Sequence, residues 1–213
     1  MPPPSLPKIY HIIHVDRLPS VIADGELCCD QVMAARAPVG TTIGMSDIKA
    51  RRLITQLNSH PGLRVGQCVP FYFCPRSVML YLIDRANHHN FSYRGGQGPI
   101  LHLEADLNAT VDWADANGRR WAFTLSNAGG GYFEDRRDLA QLGEINWAAV
   151  QATQWAGAFQ EGKQAEFLVE QSFPWELVSR IGVGASALRQ QVELILRDAG
   201  HRPVVEVVPG WYY

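Results

Sequence analysis

No stretch of the chain approaches the ~20 uninterrupted apolar residues that a bilayer-spanning helix needs. Cysteine is scarce. Cys28, Cys29, Cys68 and Cys74 form no C-x-x-C pair, and the adjacent Cys28 and Cys29 are poor disulfide or metal partners, so they are expected to be reduced packing residues. No His, Cys and Asp residues cluster at ligand spacing, and no metal is expected. A net charge of −2 provides no general attraction for nucleic acid, so a strand-binding site would have to gather its cations locally. The opening Met1-Pro-Pro-Pro-Ser5 lacks the basic start and apolar run of a secretory signal, which places the protein in the cytoplasm. Internal repeats and low-complexity blocks are missing too. Asn127-Ala-Gly-Gly-Gly131 is a turn without the Lys-Ser/Thr that a phosphate loop carries.

What is present fits one folded domain spanning 1–213. The hydrophobic fraction is 46% and the charged fraction 19%, and 213 residues suffice for a single core. Strands are expected at Ile9–Val15, around Leu27–Cys29, and at Val69–Phe73, Ile100–Glu104, Trp121–Thr124, Lys163–Glu170, Ile181–Val183 and Pro203–Val208. Helices are expected at Asp16–Asp24 with Gly25 as the stop, from a Ser46-Asp47 cap through Leu57, and at Ser77–Arg85, Asp135–Leu142, Glu144–Thr153, Pro174–Val178 and Ala185–Ala199. Residues 30–45, with Pro38, Gly40 and Gly44, read as a long loop of the kind that often carries function. Short helices and strands alternate without a βαβ rhythm, so the class is α+β.

Four features draw chemical interest. Glu166 lies in an apolar strand directly after the polar run Gln160–Gln164; it is either the solvent-facing half of the alternation or a buried carboxylate with a task. Val69-Pro-Phe-Tyr-Phe-Cys-Pro-Arg-Ser77 runs a hydrophobic strand into Arg76, either at a cleft or simply at a helix cap. In Ile9–His14 the period of two turns His11 and His14 to opposite faces, which speaks against a shared metal. Lys49 and Arg52 share a helix face that could grip phosphates or be plain solvated surface. The basic residues Arg36, Lys49, Arg51, Arg52 and Arg64 are likewise open to either reading.

The order of these segments resembles the DarT toxins, DNA ADP-ribosyltransferases of bacterial toxin–antitoxin pairs. The similarity runs through Ile9-Tyr-His-Ile-Ile-His14, the Lys-x-x-Arg of 49–52, Val69–Leu80, Gly98-Pro-Ile-Leu-His-Leu103, Trp147 with Trp155, Gln164-Ala-Glu-Phe-Leu-Val169 and the ending Trp211-Tyr-Tyr213. The resemblance implies a compact ADP-ribosyltransferase fold with a split central β-sheet and NAD+ in a cleft. It implies that Glu166 and Arg52 are catalytic, and that His11, Tyr72 and the neighbouring Arg51 contact NAD+. Met79, Arg76 and Lys163 would face the DNA, with Gln160–Gln164 as a substrate-recognising loop. It further implies single-stranded DNA as acceptor, NAD+ as co-substrate, and a macrodomain antitoxin similar to DarG as partner. Residues 125–131 match no family feature, and Met33, Ala34 and Ala35 are less polar than cofactor contacts would suggest.

The wording of the Phe-Tyr-Phe-Cys-Pro-Arg-Ser segment is closer to thymidine-modifying members than to guanosine-modifying ones. Transfer to RNA or protein, and a non-catalytic nucleic-acid-binding module, are the competing readings. The charge of Glu166 separates the last of these: an enzyme needs it, whereas a pure binder gains or keeps affinity without it.

Overall fold

The computed structural model describes residues 1–37, 39–85 and 92–213; of the expected 30–45 loop, Pro38 lies outside the described residues. The elements in chain order are β1 (Lys8–His14), α1 (Leu18–Asp24), β2 (Glu26–Cys28), α2 (Asp30–Ala34), α3 (Ser46–Arg52), β3 (Cys68–Tyr72), α4 (Val78–Arg85), β4 (Ile100–Asp106), α5 (Leu107–Ala116), β5 (Trp121–Thr124), β6 (Asp135–Arg136), α6 (Trp147–Gln151), β7 (Glu166–Glu170), β8 (Ser172–Pro174), β9 (Val178–Val183), α7 (Ser186–Ile195) and β10 (Val204–Val207). Mixed helix and sheet without regular alternation is the α+β class expected from the sequence.

An eight-stranded sheet runs in the order β10-β9-β4-β1-β3-β7-β5-β6, and β2 and β8 form a separate two-stranded ribbon. Every described pair in the large sheet is antiparallel except β10 with β9. The join between β1 and β3 is narrow. β1 pairs with β4 along its whole length, from Lys8↔Asp106 to His14↔Ile100, but meets β3 only at Tyr10↔Tyr72. The split expected of the central sheet is therefore a seam: two four-strand halves held by one registered pair, with strands diverging on either side of it.

The apolar alternation of β1 explains its position. Ile9 and Ile13 enter the main core with Val69, Phe71, Leu101, Leu103, Phe123 and Phe167. Ile12, on the other face, packs with Ile43, Met45, Leu80, Ile83 and Ile100. A third cluster around Leu57, Leu63 and Val65 lies behind Ala122 and Leu168. β4 and β5 are buried along nearly their full length, as central strands covered on both faces should be. At the C-cap of α1, Gly25 adopts φ 71°, the left-handed conformation glycine accepts most easily. Among the described residues no helix is long and apolar enough to cross a membrane.

Several local expectations are corrected. The 30–45 segment contains α2 rather than continuous loop. α3 ends at Arg52 instead of Leu57, because the chain turns to bury Leu57 at 1% exposure and to bridge Gln56 with Arg64. Its N-cap is Met45, without a side-chain cap. Asp135–Leu142 is not one helix: Asp135 and Arg136 pair with β5, Asp135 accepts from the backbone N–H groups of Asn58 and Ser59, which ties it to the α3–β3 connection, and a 3-10 helix occupies Leu139–Glu144. Helix at 144–153 is limited to Trp147–Gln151, and Glu166 opens its strand because Gly162–Gln164 forms a 3-10 turn. Of residues 174–178, only Trp175–Leu177 is helical, as a 3-10 turn between β8 and β9. Helix α5 was not anticipated at all; Asp106 caps it by accepting from Ala109 N–H.

Candidate active site

Beside the seam, β1 and β3 part and leave a cleft of about 490 Å3. Its walls come from His11 and Ile12 on β1, Tyr72 at the end of β3, Glu166 at the start of β7, Arg52 at the end of α3, and Met79 and Leu82 on α4. Met33 and Ala34 of α2 form part of the rim, so the poorly polar stretch noted in the sequence supplies apolar wall.

Glu166 and Arg52 form the polar floor. The residues are 3% and 7% exposed, which rules out both the solvent-facing strand position and the solvated helix face. One guanidinium nitrogen, Nη1, donates to both carboxylate oxygens, at 3.2 Å to Oε1 and 2.9 Å to Oε2. The other terminal nitrogen, Nη2, is buried with no partner among the described residues. Burial works against the charge of Arg52, but the charge and hydrogen bonds of Glu166 outweigh it and hold the guanidinium protonated. The backbone of Glu166 is fixed by Tyr72↔Glu166 registry and by its N–H donating to Thr124 Oγ1 at 3.0 Å. A carboxylate on a paired strand, facing an arginine with an unused donor, can stabilise one developing positive charge and bind one further polar atom at the same time.

His11 follows the seam residue Tyr10 on β1. Its Nδ1 lies 2.6 Å from the Pro70 carbonyl, which can only accept, so Nδ1 carries the proton. Burial lowers its pKa and keeps the ring neutral, leaving Nε2 as an acceptor. Tyr72 donates its hydroxyl to Met79 Sδ at 3.6 Å. Burial first, and then the nearby Glu166 charge, push its pKa up, so it remains a neutral phenol.

The structure thus brings together His11, Arg52, Tyr72, Met79 and Glu166. Arg51 is exposed on the outer side of α3 and does not line the cleft. Arg76 lies at a neighbouring cavity of about 300 Å3, where Nε is buried with no partner among the described residues and the guanidinium stacks 4.3 Å from the Tyr213 ring centre. Lys163 also borders that cavity, but it is 3% exposed, and its ammonium donates to the Val150 and Ala152 carbonyls at 2.6 and 2.8 Å. It presents no free charge to a strand lying in the cleft.

Three contributors escaped sequence reasoning. Lys49, read as a phosphate-gripping or solvated cation, instead pairs with Asp30 at 2.9 Å, and both line the cleft. Asn127, in the segment without a family match, donates to Gln164 Oε1 at 3.1 Å beside Glu166. Asp16 pins the rim by accepting from the backbone and hydroxyl of Thr41, and these hydrogen bonds, with those from His14, hold its carboxyl below the usual range despite some burial. These pairs join residues far apart in sequence, and no local pattern announces them. Among the described residues, no group of three or more His, Cys, Asp or Glu side chains is arranged to hold a metal ion.

A family model described as "ssDNA thymidine ADP-ribosyltransferase, DarT" matches residues 10–213. A DNA ADP-ribosyl transferase of Thermus aquaticus is 37% identical over 214 residues, covering 100% of this chain and 90% of the relative. The solved structure of Thermus sp. 2.9 DarT in complex with ADP-ribosylated ssDNA matches at TM-score 0.90 and 34% identity, over 100% of this chain and 99% of that one. Thermus sp. 2.9 DarT in complex with NAD+ matches at TM-score 0.84 and 33% identity, over 99% and 100%.

Proposed function

The chain belongs to the DarT family of single-stranded DNA thymidine ADP-ribosyltransferases, and from that premise we propose how this cleft moves ADP-ribose from NAD+ to a thymidine base. The observation that carries the proposal is the buried Arg52–Glu166 pair at the floor of a cleft otherwise lined by His11, Tyr72 and Met79.

The C1–N bond between ribose and nicotinamide breaks, and its electron pair leaves with neutral nicotinamide. Positive charge builds on the ribose as this happens. Glu166, fixed on its strand, stabilises that charge and accepts from a ribose hydroxyl. Preorganised charge of this kind is worth on the order of 10²–10³ in rate. A nitrogen of thymine then bonds to C1 and gives its proton to Glu166 or water. Arg52 cannot act as a base, because an arginine does not deprotonate in a protein. Its role is to orient Glu166 through Nη1 and to offer Nη2 to the base or a phosphate. His11, a neutral ring with Nε2 free to accept, contacts NAD+. Tyr72 supplies an aromatic wall for nicotinamide, and Met79 borders the acceptor base.

Arg76, half-buried at the neighbouring cavity, takes a phosphate of the acceptor strand. Single-stranded acceptors suit such a cleft because an unpaired base enters without the cost of unstacking a duplex. NAD+ and DNA as substrates put the reaction in the cytoplasm, and a modification of this kind calls for a partner that removes it, a macrodomain antitoxin similar to DarG. No metal is assigned a role.

The test is mass spectrometry of short single-stranded oligonucleotides incubated with the protein and NAD+, beside Glu166→Ala. An ADP-ribose adduct on thymidine-containing strands, absent with the variant, is the expected result. An adduct only on guanine-containing strands overturns the acceptor, and a full-strength adduct from Glu166→Ala overturns the site.

A further inference from the structure

Lys163 is the anomaly of the molecule. A buried ammonium is costly unless its hydrogen-bonding capacity is met, and here the side chain has no carboxylate partner among the described ion pairs. The neighbouring Cys74 thiol does not neutralise it, since burial raises the pKa of that thiol and keeps it protonated. What Lys163 does have is the C-terminal end of α6, where helix carbonyls are left without intrahelical donors and the helix dipole favours a cation. It donates to Val150 O and Ala152 O there.

These bonds sit at the neck of a loop. Residues 153–161 are exposed except for the half-buried Trp155, and both ends of the loop return to the same place: the end of α6 on one side and the Gly162–Gln164 turn on the other. A second contact closes the same neck. A Cβ on Gly162 would stand 3.0 Å from the Cβ atoms of both Ala149 and Asn146, so backbone and helix touch without a side chain between them. α6 itself is anchored by Trp147, which is buried and donates Nε1–H to Leu142 O. Directly after the neck come Gln164, bound to Asn127 in the cleft, and Glu166.

We propose that Lys163 is a positioning residue, a latch that closes the neck of the 152–162 loop and so holds Gln164 and the loop in place for the acceptor strand. The inference rests on the functional reading above and changes the part assigned to Lys163 by resemblance: it acts on DNA through the loop and touches no phosphate. Glu166 is held separately, by β3 and Thr124, so the latch bears on the acceptor more than on NAD+.

The experiment compares the full chain with Lys163→Met in steady-state transfer to a thymidine-containing oligonucleotide, with both substrates varied. If opening the neck cuts the competent population to about a tenth, the KM for DNA rises about tenfold in proportion, while the KM for NAD+ stays within about twofold. A latch also leaves the salt dependence of DNA binding unchanged, whereas loss of one phosphate contact on a single strand lowers the slope of log K against log[salt] by about 0.7. A lowered slope, an unchanged KM for DNA, or an equal rise for both substrates overturns the proposal. Chymotrypsin, with Trp155 and Phe159 in the loop, reads the latch without any substrate: faster cleavage between 153 and 161 in the variant supports it and an unchanged rate overturns it. Absence of transfer by the parent protein would instead sink the functional reading. Should Lys163→Met not fold, Gly162→Ala crowds the same neck without changing charge, and the same DNA-specific rise in KM is expected.

Discussion

Tyr72 and Glu166 stand opposite one another across β3 and β7, and Tyr72 is also the residue through which β3 meets Tyr10 of β1. The carboxylate is therefore one ladder step from the seam that holds the two halves of the sheet together. Sites built on paired strands hold their geometry more tightly than sites on loops. Arg52 reaches this floor from outside the sheet, at the end of a seven-residue helix.

Glu166→Gln is expected to cut transfer by at least ~100-fold, the scale of one lost electrostatic contact in a transition state. Affinity for single-stranded DNA, read by fluorescence anisotropy, should be kept or should increase, since a negative charge is removed. Stability should fall by roughly 3–5 kcal/mol, because Arg52 is left as an uncompensated buried cation. Replacing both partners, as Arg52→Met with Glu166→Leu, should recover much of that loss in urea unfolding while remaining inactive. An active Glu166→Gln protein would remove Glu166 from the mechanism.

Arg51 and Arg52 are adjacent, and their environments are opposed: one exposed, the other 7% exposed and bonded to Glu166. Arg51→Ala should leave kcat within about twofold and stability within about 0.5 kcal/mol, as is usual for surface substitutions away from special features. Arg52→Ala should lose transfer by two orders of magnitude or more, the range seen for removal of one preorganised donor. Equal losses from the two variants, measured in the oligonucleotide assay, would refute this division.

In the sequence Glu166 is a local anomaly, a lone acid at the start of an apolar strand, but the pattern leaves its side open and the family resemblance assigns its role; Tyr72 and Met79 are pointed to by the resemblance alone. Short runs of β-branched, aromatic and other apolar residues also placed β1, β3, β4 and β5 to within one or two residues at each end. Legibility ended where long-range pairing decides. Lys49 looked like a surface cation until Asp30 was brought beside it, and Asp135 looked helical until β5 and the Asn58 and Ser59 N–H groups claimed it. The fate of Lys163 was equally hidden: a lysine in a polar loop gives no local sign that two helix-end carbonyls will bury it. Helix α5 is a different kind of omission, since the Asp106 cap and the buried Leu107, Thr110, Val111 and Ala114 follow helical spacing.

Tyr72 is a wall and not an acid or base, because burial and the Glu166 charge keep its phenol protonated well above any working pH. Its hydroxyl makes only a weak contact with the Met79 sulfur. Tyr72→Phe should accordingly retain kcat within about tenfold, whereas proton transfer by this hydroxyl would require a loss of about 10²–10⁴. Tyr72→Ala removes the ring and should raise the KM for NAD+ by more than tenfold, on the few kcal/mol that a buried aromatic contributes. Initial rates at varied NAD+ decide between these outcomes.

Arg76 is half-buried beside the neighbouring cavity and has no carboxylate partner among the described residues, so its charge is open to a phosphate. Arg76→Met should weaken single-stranded DNA binding for all sequences alike and lower the salt slope by about 0.7, the signature of one lost phosphate contact. A loss confined to one oligonucleotide sequence would make Arg76 a base reader instead.

Acid should destabilise this fold through the buried His102 and the half-buried His11. His102 is fully buried, its Nε2–H donates to Pro75 O at 2.9 Å, and its Nδ1 has no partner among the described residues. Burial lowers its pKa to about 4, and His11 shifts in the same direction. A depressed histidine binds a proton in the unfolded chain before it does so in the folded one. Stability therefore is full above the unfolded value of about 6.5 and is lost as pH falls toward the folded value, where the unfolded state holds more protons. For His102 the loss between about pH 7 and pH 4 is on the order of 3 kcal/mol. Urea unfolding across that range should show this slope, and His102→Gln, which cannot titrate, should flatten it even if it starts from a lower plateau. A variant that keeps the full acid slope would shift the effect to His11 or to the carboxylates.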